Sequence, residues 1–235
     1  KSGAWNTSYR TQEHIDYPVL PIYANNCNLS KPDPGKPTLI HWRQARTLFH
    51  EFGHALHGLC SKVRFPSLAG TRVSRDFVEF PSQLLESWLS TDRVLNQHAL
   101  HHSSGEPIPA ALLQRLRDSA TFNSGITMVQ YLSTALLDLR VHLLEQLPGT
   151  VESVEQQFRE ELGMPDALAM RFGLAQFQHI FSSSYAAGYY SYRWADALTA
   201  DAAEYFAQQP QGFYDRALAK TLVESVLSVG DTVPP

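Results

Sequence analysis

The sequence has 235 residues, of which 43% are hydrophobic and 18% charged, and its formal net charge is −4. This composition allows a packed core and excludes wholesale disorder, and the absence of any Lys/Arg block argues against a nucleic-acid or membrane partner. No apolar run approaches the roughly 20 residues that a membrane-spanning helix needs. The two cysteines form no disulfide framework, so we expect a reducing, cytoplasmic location.

The first forty residues are predicted to contain little helix. Residues 1–17 are polar and aperiodic, whereas residues 19–29 combine β-branched and aromatic residues and are predicted to form a strand. The proline-rich residues 31–38 are predicted to form a loop. Because the chain begins without Met and ends at Val-Gly-Asp-Thr-Val-Pro-Pro, we expect it to be a piece of a longer protein.

Helical spacing dominates from Trp42 onward. Apolar residues recur three or four positions apart as far as about residue 61, which predicts an amphipathic helix. A loop is predicted over residues 178–188, between helices. The same spacing predicts further helices at about 77–92, 93–101, 108–120, 125–146, 151–162, 189–208 and 212–227. The predicted fold class is therefore mostly α, with a small β element near residues 19–29.

The longest of these helices, near residues 125–146, has a predicted start and a predicted inner face. Asn123 or Ser124 is the expected N-cap, since both residue types accept a hydrogen bond from a free backbone N–H. The apolar spacing predicts a buried face made of Leu132, Leu136, Leu139 and Leu143.

The first predicted helix contains the sequence His50-Glu51-Phe52-Gly53-His54. At 3.6 residues per turn, His50 and His54 lie one turn apart, so both imidazoles can bind one zinc ion. Glu51 is too far around the helix to be the natural third ligand, but it can accept a proton from water. A chain of this composition would contain the motif by chance about 0.02 times. The motif therefore predicts a zinc hydrolase rather than an ordinary polar helix face.

The third ligand distinguishes the classes of zinc hydrolase. A metzincin would have Gly at position 57 and His at position 60, where this chain has His57 and Cys60. A thermolysin-like enzyme would have Glu where this chain has Val73. Glu79 and Glu86 share one face of the next predicted helix, which suggests one metal ligand and one partner that orients a ligand histidine. The alternative for Glu86 is an ordinary solvated glutamate.

At these residues the chain resembles a known family. The segments HEFGHALH (50–57) and DFVEFPSQLLESW (76–88) are similar to the thimet oligopeptidase, neurolysin, oligopeptidase A and peptidyl-dipeptidase family of zinc peptidases. The resemblance extends over nearly the whole chain, from residues 3–5 through 179–198 to 228–235. The sequence of the matching segments is most similar to that of the bacterial peptidyl-dipeptidase (Dcp) branch.

The resemblance implies a neurolysin-like zincin fold in which residues 1–235 form a catalytic zinc-peptidase domain. It implies one zinc ion per chain, bound by His50, His54 and Glu79, with Glu51 as the general base. The family's large N-terminal helical region, which forms the other wall of a deep substrate channel, is absent from this sequence.

Further roles are implied only by the resemblance, for residues late in the chain. His179, Tyr185 and Tyr192 match the residues that bind substrate and stabilise the tetrahedral oxyanion. Ser183 and Ser184 stand where the family usually has two glycines, which allow unusual backbone angles and closure over substrate. Reduced or altered activity is therefore one expectation.

The implied partners are short, unfolded peptides, with no nucleic acid and no membrane, and a monomer is expected at full length. The favoured activity is that of a peptidyl-dipeptidase, which releases C-terminal dipeptides. Two alternatives stay open, an endo-oligopeptidase of the oligopeptidase A type and a non-catalytic, zinc-bound peptide-binding remnant.

Several other polar or sulfur-containing residues have simpler interpretations. His98 and His102 are four apart, yet a solvated helix end is expected there rather than a second metal site. For His57, packing or a bond to a ligand histidine is expected rather than ligation, since a catalytic zinc keeps one position open. Cys60 is expected to be buried, and His142 to be a hydrogen-bonded structural histidine.

Overall fold

A computed structural model describes residues 3–182 and 184–234. It confirms the predicted class, because helices dominate and one small antiparallel sheet accompanies them. The strands are β1 (Ala4–Arg10) and β2 (Ile22–Cys27). The helices are α1 (Trp42–Cys60), α2 (Phe80–Leu89), α3 (Asp92–His98), α4 (Ala110–Thr121), α5 (Ser124–His142), α6 (Val151–Glu161), α7 (Gln178–Phe181), α8 (Ser191–Ala207) and α9 (Arg216–Leu222). Among the described residues, no helix has the length and apolarity needed to cross a bilayer.

The sheet consists of β1 and β2 paired antiparallel, with Ala4 opposite Cys27 and Ser8 opposite Tyr23. Strand β2 lies inside the predicted stretch 19–29, which confirms that prediction. Strand β1 was not predicted, because residues 1–17 are largely polar and show no apolar alternation. In the structure, every residue of β1 is exposed or half-buried. Both strands pack against α1.

The described residues separate into two compact units. The first comprises residues within 1–108 and 193–235, and the second comprises residues 109–192. The first unit has a core built from Phe80 and Leu84 of α2 together with Ala195 and Phe206 of α8. These contacts hold α2 in place along its apolar side.

Trp88 adds a specific anchor near the end of α2. Its ring packs edge-on against Phe206 and Phe213, with centroids 5.2 and 5.0 Å away. Its indole Nε1 donates to the backbone oxygen of Phe213 at 3.0 Å. An aromatic ring with a satisfied N–H fixes the rotation of α2 as well as its position.

Helices α1 and α2 approach each other closely at Gly53. A Cβ atom at this position would lie 2.5 Å from the Cα of Ser82 and 2.7 Å from the carbonyl oxygen of Pro81. Only glycine therefore allows the two backbones to come this near. The contact brings the middle of α1 against the first turn of α2.

The core of the second unit contains a different face of α5 from the predicted one. Leu132, Leu136 and Leu143 are exposed, Leu143 to 85%, and Leu139 is half-buried, so the predicted leucine face was wrong. The helix instead buries Tyr131, Ser133, Thr134, Ala135, Leu137 and Asp138. Polar residues can occupy this face because their hydrogen bonds are satisfied, as when Thr134 Oγ1 donates to Gln130 O at 2.8 Å. Asn123 is the N-cap, as predicted, but its side chain makes no capping bond.

Two other boundaries differ from the predictions. The predicted loop 178–188 contains the short helix α7. The single helix predicted at 212–227 is divided, because Gly212 is left-handed (φ 54°) and Asp215 starts a new helix by accepting from Leu218 N at 2.9 Å. Helix α9 then passes into a π-helical turn, Val223–Leu227.

Replacing Gly53 with Ala should destabilise the fold, because the added methyl group would overlap backbone atoms of α2. We expect the free energy of unfolding to fall by about 1–3 kcal/mol, measured by urea denaturation. Gly125→Ala is the matched control, since a Cβ there meets no atom within 4 Å. That variant should be unchanged or slightly more stable, and equal destabilisation of both variants would contradict the close-contact explanation.

Candidate metal centre

Helices α1 and α2 bring together the three predicted metal ligands. Glu79 Oε2 lies 3.2 Å from His50 Nε2 and 3.2 Å from His54 Nε2. The ligand atoms of all three residues lie within 4.8 Å of one another. Within residues 3–182 and 184–234, no other group of three or more His, Cys, Asp or Glu side chains is close enough to hold a metal ion.

The donor set and its spacing fit zinc. Zinc binds imidazole nitrogen and carboxylate oxygen at about 2.0–2.2 Å, so two ligand atoms at tetrahedral angles are about 3.3 Å apart. The two separations of 3.2 Å match that value. Two histidines and one glutamate are also a donor set of catalytic zinc sites, which keep a fourth position for water or substrate.

Local sequence explains how Glu79 is held. It is the N-cap residue of α2, and Pro81 lies in the first turn, where the missing N–H of proline costs no hydrogen bond. Ser82 Oγ donates to the backbone oxygen of Glu79 at 2.9 Å and lies 3.1 Å from its Oε2. The carboxylate is thus fixed from its own helix before any metal binds.

The ligands influence one another's protonation. Burial would raise the pKa of Glu79, but hydrogen bonds from His50 and His54 outweigh it and hold that pKa well below its ordinary value. Burial likewise opposes a charge on His50, yet its bonds to Glu79 and Glu86 raise the pKa of His50 to about 10. The site therefore favours a positive charge at its centre. A metal cation must displace the His50 proton, because a ligand imidazole is neutral.

Glu86 orients the first histidine. His50 Nδ1 donates to Glu86 Oε1 at 2.7 Å, and the Glu86 side chain is only 12% exposed. The predicted contact with a candidate ligand histidine is therefore present, and the solvated alternative is wrong. Arg46, one turn before His50 on α1, pairs with the other oxygen of Glu86. The ion pair of Arg46 with Glu86 was not predicted. The position of Arg46 four residues before His50, on the same helix face, could have indicated it.

Glu51, the predicted general base, is buried on α1 near strand β2. Burial raises the pKa of the Cys27 thiol on β2, and the negative charge of Glu51 raises it further. Glu51 thus lies close to strand β2, and it is on the same helix as His50 and His54.

In the second unit, His179, Tyr185 and Tyr192 form one aromatic group. The rings of Tyr185 and Tyr192 stack with centroids 4.9 Å apart and planes at 19°. The His179 ring lies 6.4 Å from Tyr185 and 6.2 Å from Tyr192. The structure therefore gathers the three residues that the resemblance implied. Ser184 is exposed, and the predicted effect of Ser183 lies outside the described residues.

The remaining histidines and Cys60 are placed largely as expected. His57 is completely buried and outside the ligand group, and burial, followed by the charge of His54, lowers the pKa of His57 to about 4. His142 Nδ1 lies 2.9 Å from the backbone oxygen of Asp138, which confirms a structural role. Cys60 is half-buried rather than buried.

Comparison with known proteins adds a family to this geometry. A sequence model described as "Peptidase family M3" matches residues 1–235. The dipeptidyl carboxypeptidase of Salmonella typhimurium is 41% identical over 98% of this chain and 34% of its own length. That of Escherichia coli is 39% identical over the same shares, and oligopeptidase A of Escherichia coli is 33% identical over 92% of this chain. The chain spans about a third of the length of the curated relatives it matches.

Glu86→Gln should weaken zinc binding, because the neutral amide no longer stabilises the donating Nδ1–H of His50. We expect the affinity to fall about 10- to 100-fold, measured by competition with a chromophoric chelator. Glu224→Gln makes the same chemical change at an exposed ion pair with Lys220 and should leave the affinity unchanged. Equal affinities for both variants would show that Glu86 does not orient His50.

Proposed function

The chain belongs to peptidase family M3, and we propose that it forms the catalytic domain of a zinc-dependent peptidase acting on short, unfolded peptides. The observation that carries this proposal is the convergence of His50, His54 and Glu79 on one point, with Glu51 on the same helix. Two neutral imidazoles, one carboxylate and an adjacent acid–base group are what metal-assisted peptide hydrolysis requires.

Each residue of the first unit has a proposed task. Bound by His50, His54 and Glu79, zinc would polarise the scissile carbonyl and lower the pKa of water to about 7. Glu51 accepts the proton of the attacking water and later gives it to the leaving amine. Glu86 keeps His50 in the tautomer whose Nε2 is free to bind the metal.

The aromatic group of the second unit has the proposed task of holding substrate. The hydroxyls of Tyr185 and Tyr192, with the imidazole of His179, donate hydrogen bonds to the tetrahedral oxyanion. Stacked tyrosine rings support this role, because donors that are already oriented need little reorganisation during the reaction. These assignments follow the match of this chain to its family.

We propose release of C-terminal dipeptides as the specific activity. The support is the identity of 39–41% to two proteins named dipeptidyl carboxypeptidase. Internal cleavage is the second candidate, supported by 33% identity to proteins named oligopeptidase A. The two activities share the metal chemistry and differ in whether the enzyme recognises the free carboxylate of the substrate.

The proposed setting is the cytoplasm, with peptides rather than nucleic acid or membrane as partners and a monomer at full length. Both Cys27 and Cys60 are free thiols, which suits a reducing compartment.

Glu51→Gln should retain stoichiometric zinc but lower kcat by about 10²- to 10⁴-fold, because the amide cannot accept a proton. The measurement uses a quenched fluorescent peptide and metal analysis on the protein at its full natural length. Undiminished turnover would overturn the mechanism. A wild-type protein that binds zinc and peptide without cleaving would instead support the non-catalytic alternative.

Mass spectrometry of the products should decide between the two activities. A dipeptidyl carboxypeptidase removes successive dipeptides from a peptide with a free C-terminus and acts poorly on its C-terminal amide. An endo-oligopeptidase cleaves both peptides at the same internal bonds. We expect the first result, and identical internal fragments from both peptides would replace it with the second activity.

A further inference from the structure

A buried carboxylate lies in the middle of the second unit. Asp138, on α5, is 0% exposed and occupies the helix face that packs into an otherwise largely apolar core. Burying a carboxylate is unfavourable unless hydrogen bonds compensate it. Its hydrogen-bond partners therefore indicate what the residue does.

Both oxygens of Asp138 bind one short stretch of backbone. Oδ1 accepts from Ala187 N at 2.9 Å, and Oδ2 accepts from Tyr189 N at 2.9 Å. His142 Nδ1, one turn later on α5, lies 2.9 Å from Oδ1. Two of these three contacts are with the segment of residues 185–192, here called the tyrosine segment, which begins at Tyr185 and ends at Tyr192.

The tyrosine segment has a backbone conformation that needs support. Ala187 has φ 53°, in the left-handed region that a residue with a Cβ rarely adopts. Such a conformation persists only where the surroundings over-determine it. The hydrogen bonds that Ala187 N and Tyr189 N donate to Asp138 stabilise this conformation. A turn in which Gly188 N donates to Tyr185 O at 2.9 Å adds to them.

Tyr189 connects this support to its neighbours. Its ring is buried and stacks on Tyr131 at 4.8 Å, and the Tyr131 hydroxyl donates to the Tyr189 backbone oxygen. The backbone N–H and carbonyl of Tyr189 are thus both held by α5. Tyr185 lies four residues before it and Tyr192 three residues after it, and the Tyr189 ring also lies 5.5 Å from the ring of Tyr192.

We propose that Asp138 is a positioning residue that fixes the tyrosine segment and thereby sets the positions of the Tyr185 and Tyr192 hydroxyls. The inference rests on the proposed function, in which these hydroxyls stabilise the oxyanion. Misplacing a catalytic donor by about 1 Å can cost about 100-fold in rate, so the backbone bonds have a direct kinetic consequence.

A double-mutant cycle tests this proposal on the zinc-loaded protein at its full natural length. Asp138→Asn keeps the shape of the side chain but turns one accepting oxygen into an NH2 group, so one backbone bond is lost. We expect kcat to fall about 10- to 100-fold, with KM changed less than about threefold and zinc content unchanged. In a Tyr185→Phe/Tyr192→Phe background, the same substitution should lower kcat by less than about threefold.

Asp118→Asn is the matched control, because it makes the same change at an exposed aspartate of α4 whose side chain accepts from Gln114 in the same helix. It should leave kcat unchanged in both backgrounds. Equal losses from Asp138→Asn in both backgrounds would indicate a general structural role and overturn the proposal. An unchanged kcat, or lost zinc, would also overturn it.

Hydrogen exchange in the wild-type protein provides a test that needs neither a folded variant nor activity. The amides of Ala187 and Tyr189 should exchange as slowly as buried helical amides, because their acceptor is a buried carboxylate. Exchange at the rate of exposed loop amides would overturn the positioning role. If the wild-type enzyme cleaves no peptide, the proposed function fails. Slow exchange would still support the conclusion that Asp138 holds the backbone of the tyrosine segment.

Discussion

The candidate metal centre depends on the contact between the backbones of α1 and α2 at Gly53. Because no side chain intervenes there, imidazoles on one helix and a carboxylate at the start of the other come within 3.2 Å. The same approach lets Glu86, nearly two turns further along α2, reach the far side of His50. Trp88 and the aromatic core around it hold α2 in that position. Helix packing and ligand geometry therefore have a common cause.

Two histidines of α1 have opposite pKa shifts. His50 faces two carboxylates and its pKa is raised to about 10, whereas burial and the nearby His54 lower the pKa of His57 to about 4. The difference lies in the carboxylates of Glu79 and Glu86, which both contact His50, whereas neither is among the causes of the lowered pKa of His57. Concentrated negative charge in a largely buried region makes this part of the helix suited to binding a cation.

The sequence allowed prediction of features with a local period. The spacing of His50 and His54, and that of Glu79 and Glu86, follows from helix geometry, so the candidate ligand set could be proposed before the fold was known. The roles of His179, Tyr185 and Tyr192 came only from resemblance to a family. Asp138 was not found, because its partners are about fifty residues away and hydrogen bonds over that distance leave no periodic signal. The buried face of α5 was predicted wrongly because apolar spacing locates only leucines. The buried face includes hydrogen-bonded polar residues, whereas most of the predicted leucines are exposed.

The candidate metal ligands and the charged residues that contact them all lie between residues 46 and 86, on two consecutive helices. Contacts between near neighbours in sequence form early, because closing a short loop loses little chain entropy. The tyrosine segment, by contrast, is held by a helix that ends more than forty residues before it. The core that holds α2, however, includes Ala195 and Phe206, which follow the tyrosine segment in the sequence. During synthesis the candidate ligands are therefore present early, but the packing that fixes their positions is completed only after the tyrosine segment has been made.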